Sequence, residues 1–440
     1  MQPSRLRRIL NLSLPIMAAM LSQSLLNLVD TAMVGVLGDA ALAAVGIGGF
    51  VVFASLSLVL GISSGVQALA ARRTGEGRPA DAVRVLNAGL LYVLLATPPL
   101  TVAMWLAAPW FWPLLNGDPQ VLEAGVPYFQ VRILAGVFVA MNYAFRGYWN
   151  AVELSRLYMF TLLVMHGSNV LLNYVLIYGH FGAPALGVTG AGLASSLSVV
   201  LGTAMYFAMA ARHMRGSGFL RGLPPVVERR ALLRVSVPSG VQQTSFLAAY
   251  IALFWIVGRV GTAELAAINV LNNIQLFAIL PALGFGIASA TLVGQALATS
   301  GEAGARRWAR DTVYVTAAGM ALLGAPMWLT PDLLLGIFIH ESQTLELARL
   351  PLRIAGLAVT FEGIKLVLLH AQIGAGDAGR MMALTMITQW GVSLPLAWLA
   401  GPVLGLGLLG IWLSQEVFRF VQLAAVLLYW RRGRWARVQV

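Results

Sequence analysis

Asp30 is the side chain with the most chemistry to offer, because it lies inside an apolar stretch, residues 9–36. A carboxylate at the centre of a membrane helix costs about 2.5–3.5 kcal/mol on insertion scales, so it must face a cavity or a partner. Gln23, Asn27 and Asp30 are spaced by four and three, which puts them on one helical face. A polar stripe on an otherwise apolar helix reads as a cavity lining, and its carboxylate as a proton carrier. The structural alternative is a carboxylate hydrogen-bonded between helices.

A second polar stripe lies in residues 156–179, where Asn169 and Asn173 are four apart with Ser168 and Tyr174 beside them. Amides there either hydrogen-bond a substrate or Asp30, or staple helices together, a common role for membrane Asn. Asn142 and Tyr143 in 121–146, and Ser195 in 187–211, extend the same candidate cavity set. Glu362, Lys365 and His370 form a third group in 345–373. The three-residue spacing of Glu362 and Lys365 suits a helical ion pair; a second ion or proton site is the alternative. Lys365 is the only lysine of the chain. Gln242, Gln243, Asn272, Asn273 and Gln275 add polarity to two further stretches. The five His are scattered without zinc spacing, and His166 reads as a packed or loop-edge residue. Cys is absent, which removes disulfides and thiolate metal sites. No catalytic dyad, metal motif or phosphate-binding Gly-Lys-Ser/Thr element occurs, so neither an enzyme nor a cofactor is expected.

The elements holding these residues are transmembrane helices. The chain is 59% hydrophobic and 10% charged, far from the roughly 25% charged residues of soluble proteins. It contains about twelve apolar stretches of roughly 20 residues or more, long enough to cross a bilayer. They run from 9–36 to 406–430, six on each side of a basic loop. The first is too long for a signal-peptide core and carries Asp30, so no cleavable leader is expected. Pro109 to Pro119, with Trp110, Phe111 and Trp112, reads as an interfacial loop. Pro15 and Pro238 fall low in spans one and seven, where each either starts or kinks its helix.

Net charge +12 orients the chain and is no sign of nucleic-acid binding. Arg5, Arg7, Arg8, Arg72, Arg73, Arg78 and Arg84 fall on one side of an even-numbered topology, with the Arg of 212–234, Arg306, Arg307, Arg310 and the tail. The alternate loops carry Asp39, Asp118, Asp332 and Glu341, with Arg259 as an exception. This positive-inside bias places both termini in the cytoplasm, in a multi-pass protein of the cytoplasmic (inner) membrane.

The chain also repeats itself. Ser13-Leu14-Pro15 returns as Ser236-Val237-Pro238, Val34-Gly35 as Val257-Gly258, and Leu42-Ala43-Ala44 as Leu265-Ala266-Ala267, all at one offset. Arg132-Ile133 returns as Arg353-Ile354, and Gly187…Gly190 as Gly407…Gly410. Parallel repeats in a membrane chain point to two pseudo-symmetric bundles. The expected fold is an all-α integral membrane protein of twelve helices in two six-helix lobes, residues 1–211 and 231–440. A Gly-, Pro- and Arg-rich linker, 212–230, reads as a flexible cytoplasmic join.

With these features the chain resembles the multidrug and toxic compound extrusion (MATE) family. The resemblance rests on Leu14-Pro15 followed by Val29-Asp30-Thr31-Ala32-Met33-Val34-Gly35, on Leu292-Val293-Gly294-Gln295, and on Gly187…Gly190-Ala191. It implies an alternating-access antiporter expelling amphipathic, often cationic compounds, with H⁺ the first expectation for the coupling ion and Na⁺ the alternative. It implies cation coupling at Asp30, a polar partner earlier on that face in Gln23, a span-five asparagine in Asn169, and helix bending at Pro15 as in DinF-like members. Asn173 departs from the aspartate common in DinF-like relatives. Glu362 falls where NorM-like members carry a span-ten acid, whereas Phe246 lies near their span-seven glutamate. The expected partners are a small organic substrate and membrane lipids, with the monomer as the working unit. The rival reading is a lipid or lipid-linked sugar flippase of related architecture, weakened by the few span cations, chiefly Arg132, Arg353 and Lys365.

Overall fold

Helices account for all the regular structure of the computed structural model, which describes residues 2–339 and 342–438 and contains no strand among them. Glu341, expected in an acidic loop, lies outside the described residues. A backbone surrounded by hydrocarbon must satisfy its own donors and acceptors, and the helix does so within one segment. The first half of the chain forms α1 (Pro3–Gly35), α2 (Asp39–Leu60), α3 (Ile62–Gly75), α4 (Pro79–Leu115), α5 (Pro119–Leu134), α6 (Gly136–Ala151), α7 (Ser155–Tyr178) and α8 (Gly187–His213). The second forms α9 (Val226–Gly258), α10 (Thr262–Leu329), α11 (Pro331–Leu335), α12 (Ser342–Gly374), α13 (Ala378–Thr388), α14 (Leu394–Trp398) and α15 (Gly407–Arg431). Two π-helical turns, Gln389–Ser393 and Leu399–Val403, flank α14.

Nine helical stretches among the described residues are long and apolar enough to cross a membrane, and α5–α6, bent by 47°, makes a tenth. Two further crossings come from α10 and α12. Gly301 (φ 63, ψ −160) breaks α10 into two helices. The 33-residue α12 is long enough but carries Glu346, Arg349, Arg353, Glu362 and Lys365. The twelve crossings expected from hydropathy are thereby accounted for.

Packing divides the chain into two compact units, residues 18–240 and residues 241–440 with 1–17. The first turns of α1 thus belong with the later unit, and the first turns of α9 with the earlier one. Pro15 and Pro238 lie inside α1 and α9, which begin at Pro3 and Val226, so neither proline starts its helix.

In the 18–240 unit small residues let backbones touch, as membrane helices require in place of a hydrophobic drive. A Cβ on Gly61 would strike the backbone of Ser236 and Gly240, and one on Gly147 the Ser63 carbonyl. Two expectations are corrected here. The segment around Trp110–Trp112 is no loop: α4 runs on to Leu115, and Trp112 is fully buried against Phe129, over Gly48 and Gly125. The apolar drive to bury that indole outweighs the interfacial preference of Trp. The linker is also pinned down. Asn87 Nδ2 donates to Gly218 O (2.9 Å) and Gly222 O (3.0 Å), and Asn87 Oδ1 accepts from Leu220 N (2.9 Å). Phe219 packs on Phe145 and Phe207, and Glu228 pairs with Arg73 at 3.1 Å.

In the other unit Gly324 and Gly356 bring α10 and α12 into backbone contact. The first turns of α1 are held there by Arg5–Asp311 (2.5 Å), Arg8–Gln295 (2.7 Å) and both guanidinium groups over Trp308.

Candidate functional site

The polar face of α1 meets the polar face of α7 inside the 18–240 unit. Asn173 Nδ2 donates to Asp30 Oδ1 at 2.6 Å. Asn173 and Asn169 are buried, while Asp30 is half-buried. The Asn169 amide is better satisfied with its nitrogen toward Asp30 than with its oxygen there. In one orientation it accepts from Asn173 Nδ2 (3.1 Å) and donates to Ser195 Oγ (3.1 Å). Turned by 180°, it donates to Asp30 Oδ1 at 2.9 Å and accepts from Ser195 N and Oγ, both at 3.1 Å. Asn173 Oδ1 is buried with no hydrogen-bond partner. No ion pair involves Asp30 among the described residues; its hydrogen bonds come from amides, with the Arg132 charge within electrostatic reach.

One helical turn and more toward the start of α1, the same two helices are joined again. Ser22 Oγ lies 2.6 Å from His166 Nδ1, and Gln23 Oε1 lies 3.2 Å from His166 Nε2. Gln23 Nε2 in turn donates to Asn27 Oδ1 at 3.1 Å. His166 is buried within α7 rather than at a loop edge. The sequence held a signal for it: His166, Asn169 and Asn173 follow a three-four spacing and share a face.

Asn142 and Tyr143 stand apart from Asp30's hydrogen bonds. Asn142 accepts from Thr203 Oγ1 (2.8 Å) and donates to Val199 O (3.3 Å), fastening α6 to α8. The Tyr143 ring lies under the Arg146 guanidinium at 4.1 Å.

The 241–440 unit holds a charged cluster of different make. Lys365 Nζ lies 2.7 Å from Glu362 Oε1 and donates to Gln422 Oε1 at 2.7 Å. Gln422 donates onward to Thr388 Oγ1 at 2.9 Å. On α15, Arg419 pairs with Glu416 at 2.8 Å and donates to Gln275 Oε1 at 2.6 Å. Sequence reasoning passed over Glu416 and Arg419, although both lie within the last apolar stretch three residues apart. Each carboxylate here has its own cation one helical turn away. Among the described residues no group of three or more His, Cys, Asp or Glu is arranged to hold a metal ion.

A repeated, all-helical membrane bundle with intramembrane polar clusters defines a transporter. Residues 15–175 and again 238–399 match the MatE family, each match opening at one of the repeated prolines; the chain belongs to that family. It is 29% identical over 94% of its length, and 91% of the relative's, to the "Probable multidrug resistance protein NorM" of Synechococcus sp.. It is 27% identical to the "Multidrug resistance protein NorM" of Burkholderia vietnamiensis, over 96% of this chain and 92% of that one. Its fold matches an outward-facing multidrug resistance MATE family transporter of the MOP superfamily with TM-score 0.89, at 21% identity, over 98% of this chain and 97% of the other. The protein is therefore a multi-pass membrane transporter and not an enzyme.

Proposed function

We propose that the protein is a cation-coupled exporter of amphipathic or cationic organic compounds, with Asp30 as the group that exchanges coupling ion for substrate. The names of its relatives support drug efflux. The observation that carries the role of Asp30 is its surroundings: two amides, no ion pair, and an orphaned amide oxygen on Asn173. An ionised Asp30 calls for donors, which Asn173 and the turned Asn169 supply. A proton on Asp30 adds a donor, the species that Asn173 Oδ1 lacks. Ionised, Asp30 favours a cationic substrate; protonated from outside, it releases that substrate and permits the return transition. Such coupling requires only that proton and substrate favour different states or compete for one group.

H⁺ is the coupling ion on this reading, the working unit is the monomer, and the membrane is the cytoplasmic one with both termini inside. The absence of native Cys makes the orientation directly measurable by labelling single introduced Cys from either side. The function is tested by accumulation of a fluorescent organic cation in efflux-deficient bacteria. The wild type should lower it, and Asp30→Asn at matched expression should not. Equal efflux by the two would remove Asp30 from the coupling step.

A further inference from the structure

The chain turns sharply after α15. Gly433 adopts a left-handed conformation (φ 69) and sends Arg434–Arg437 off as a single 3₁₀ turn. Trp435 anchors the turn: it is fully buried, stacks on Trp430 with centroids 4.0 Å apart and 5° between planes, and donates from Nε1 to Trp430 O at 2.9 Å. Arg306 lies against both rings. Side chains three apart on a 3₁₀ turn eclipse one another, so Arg434 and Arg437 leave the same side. With Arg380 of α13 and Val438 they line a cavity of about 420 Å³.

Arg380 is held in place by one nitrogen. Its Nη1 donates to Tyr429 Oη (2.8 Å) and lies 3.3 Å from Asp377 Oδ2, the oxygen to which Tyr429 also donates. Neither Arg434 nor Arg437 has a hydrogen-bond or ion-pair partner among the described residues. Three guanidinium groups thus line one cavity, with Asp377 beside Arg380 and Glu302 against Gly433 at the start of the turn. Ordering two long side chains on a pinned turn costs rotamer entropy and sets like charges together. An anion that joins them turns the repulsion into attraction, which offsets the cost of ordering the side chains.

We propose that this cavity binds a phosphate-bearing anion. Planar guanidinium forks match phosphate oxygens two at a time, better than any other side chain. A volume of about 420 Å³ exceeds what a bare ion needs and falls in the usual range of small-molecule sites. The phosphate comes either from an anionic phospholipid headgroup or from a soluble phosphate ester, since the tail of a membrane helix lies within reach of both.

Native mass spectrometry of the full-length protein in neutral detergent tests this. The probes are dioctanoyl phosphatidylglycerol, glycerol 3-phosphate and, as a zwitterionic control, dioctanoyl phosphatidylcholine. The wild type and R431Q/R432Q, altered beside the cavity, should retain a phosphate-bearing probe, and R434Q/R437Q should bind it at least about tenfold more weakly. Retention of phosphatidylglycerol alone assigns the site to lipid; retention of glycerol 3-phosphate assigns it to a soluble ester. The single variants R380Q, R434Q and R437Q, each expected to weaken binding by about threefold, serve if the double variant does not fold. Equal binding by wild type and R434Q/R437Q, or no preference over phosphatidylcholine, overturns the proposal.

Discussion

The two units handle charge in the middle of their spans in opposite ways. In the 18–240 unit a single carboxylate, Asp30, is met by amides. In the 241–440 unit two carboxylates, Glu362 and Glu416, are each met by a cation from the same helix. A paired charge is neutral already and gains little from a passing ion; removing either partner strands the other. A carboxylate held by neutral donors keeps its charge available and can change it without stranding anything. The repeat therefore gives similar scaffolds but different sites: on our reading one suited to exchange, the other to holding helices together.

The comparison breaks most visibly at Asp30. Asp30→Asn is expected to bring efflux to the empty-vector level while the protein folds and reaches the membrane, as checked by cation accumulation and fluorescence size-exclusion. Next in size is Lys365→Met, which leaves Glu362 unpaired and should lower stability by about 3–5 kcal/mol. Thermal melting in detergent reads that loss, and a Glu362→Leu/Lys365→Met double variant should recover most of it. Should Lys365→Met instead spare the melting temperature and abolish efflux, the second cluster is a working site and the contrast fails. Asn173→Leu should reduce efflux about tenfold, the scale of a lost charge-assisted hydrogen bond, and shift the pH dependence of transport. The smallest effect is expected for His166→Gln, which keeps a polar group against Ser22 and Gln23. Efflux within about twofold of wild type, as for most substitutions away from critical partners, would sharpen the distinction between Asp30 and the rest of the stripe.

Much of this was legible in the residues. Hydropathy and the repeated Ser-Leu/Val-Pro openings disclose a twelve-helix, two-repeat bundle, because hydrocarbon permits no other backbone solution for such stretches. Asp30 stands out for the same reason, and helical spacing alone aligns Asn169 with Asn173. The pairing of Asp30 with Asn173 is less legible, since it joins residues 143 positions apart and depends on which faces of α1 and α7 meet. Glu416 and Arg419, midway along α15, were hidden because opposite charges one turn apart cancel and leave the stretch apolar on average. The linker reads as flexible from its Gly and Pro, and only the Asn87 side chain, far away in sequence, holds it to α4. Trp112 misleads in the same way, as an aromatic whose burial depends on glycines distant in sequence.

The most direct test of the central claim is dye exchange in proteoliposomes under an imposed proton gradient, a sodium gradient of equal size, or neither. The account predicts that the proton gradient speeds exchange by the wild type, that the sodium gradient does not, and that Asp30→Asn, a mimic of the protonated state, responds to neither and binds the cationic dye more weakly. Gradient-driven exchange by Asp30→Asn at the wild-type rate would contradict it.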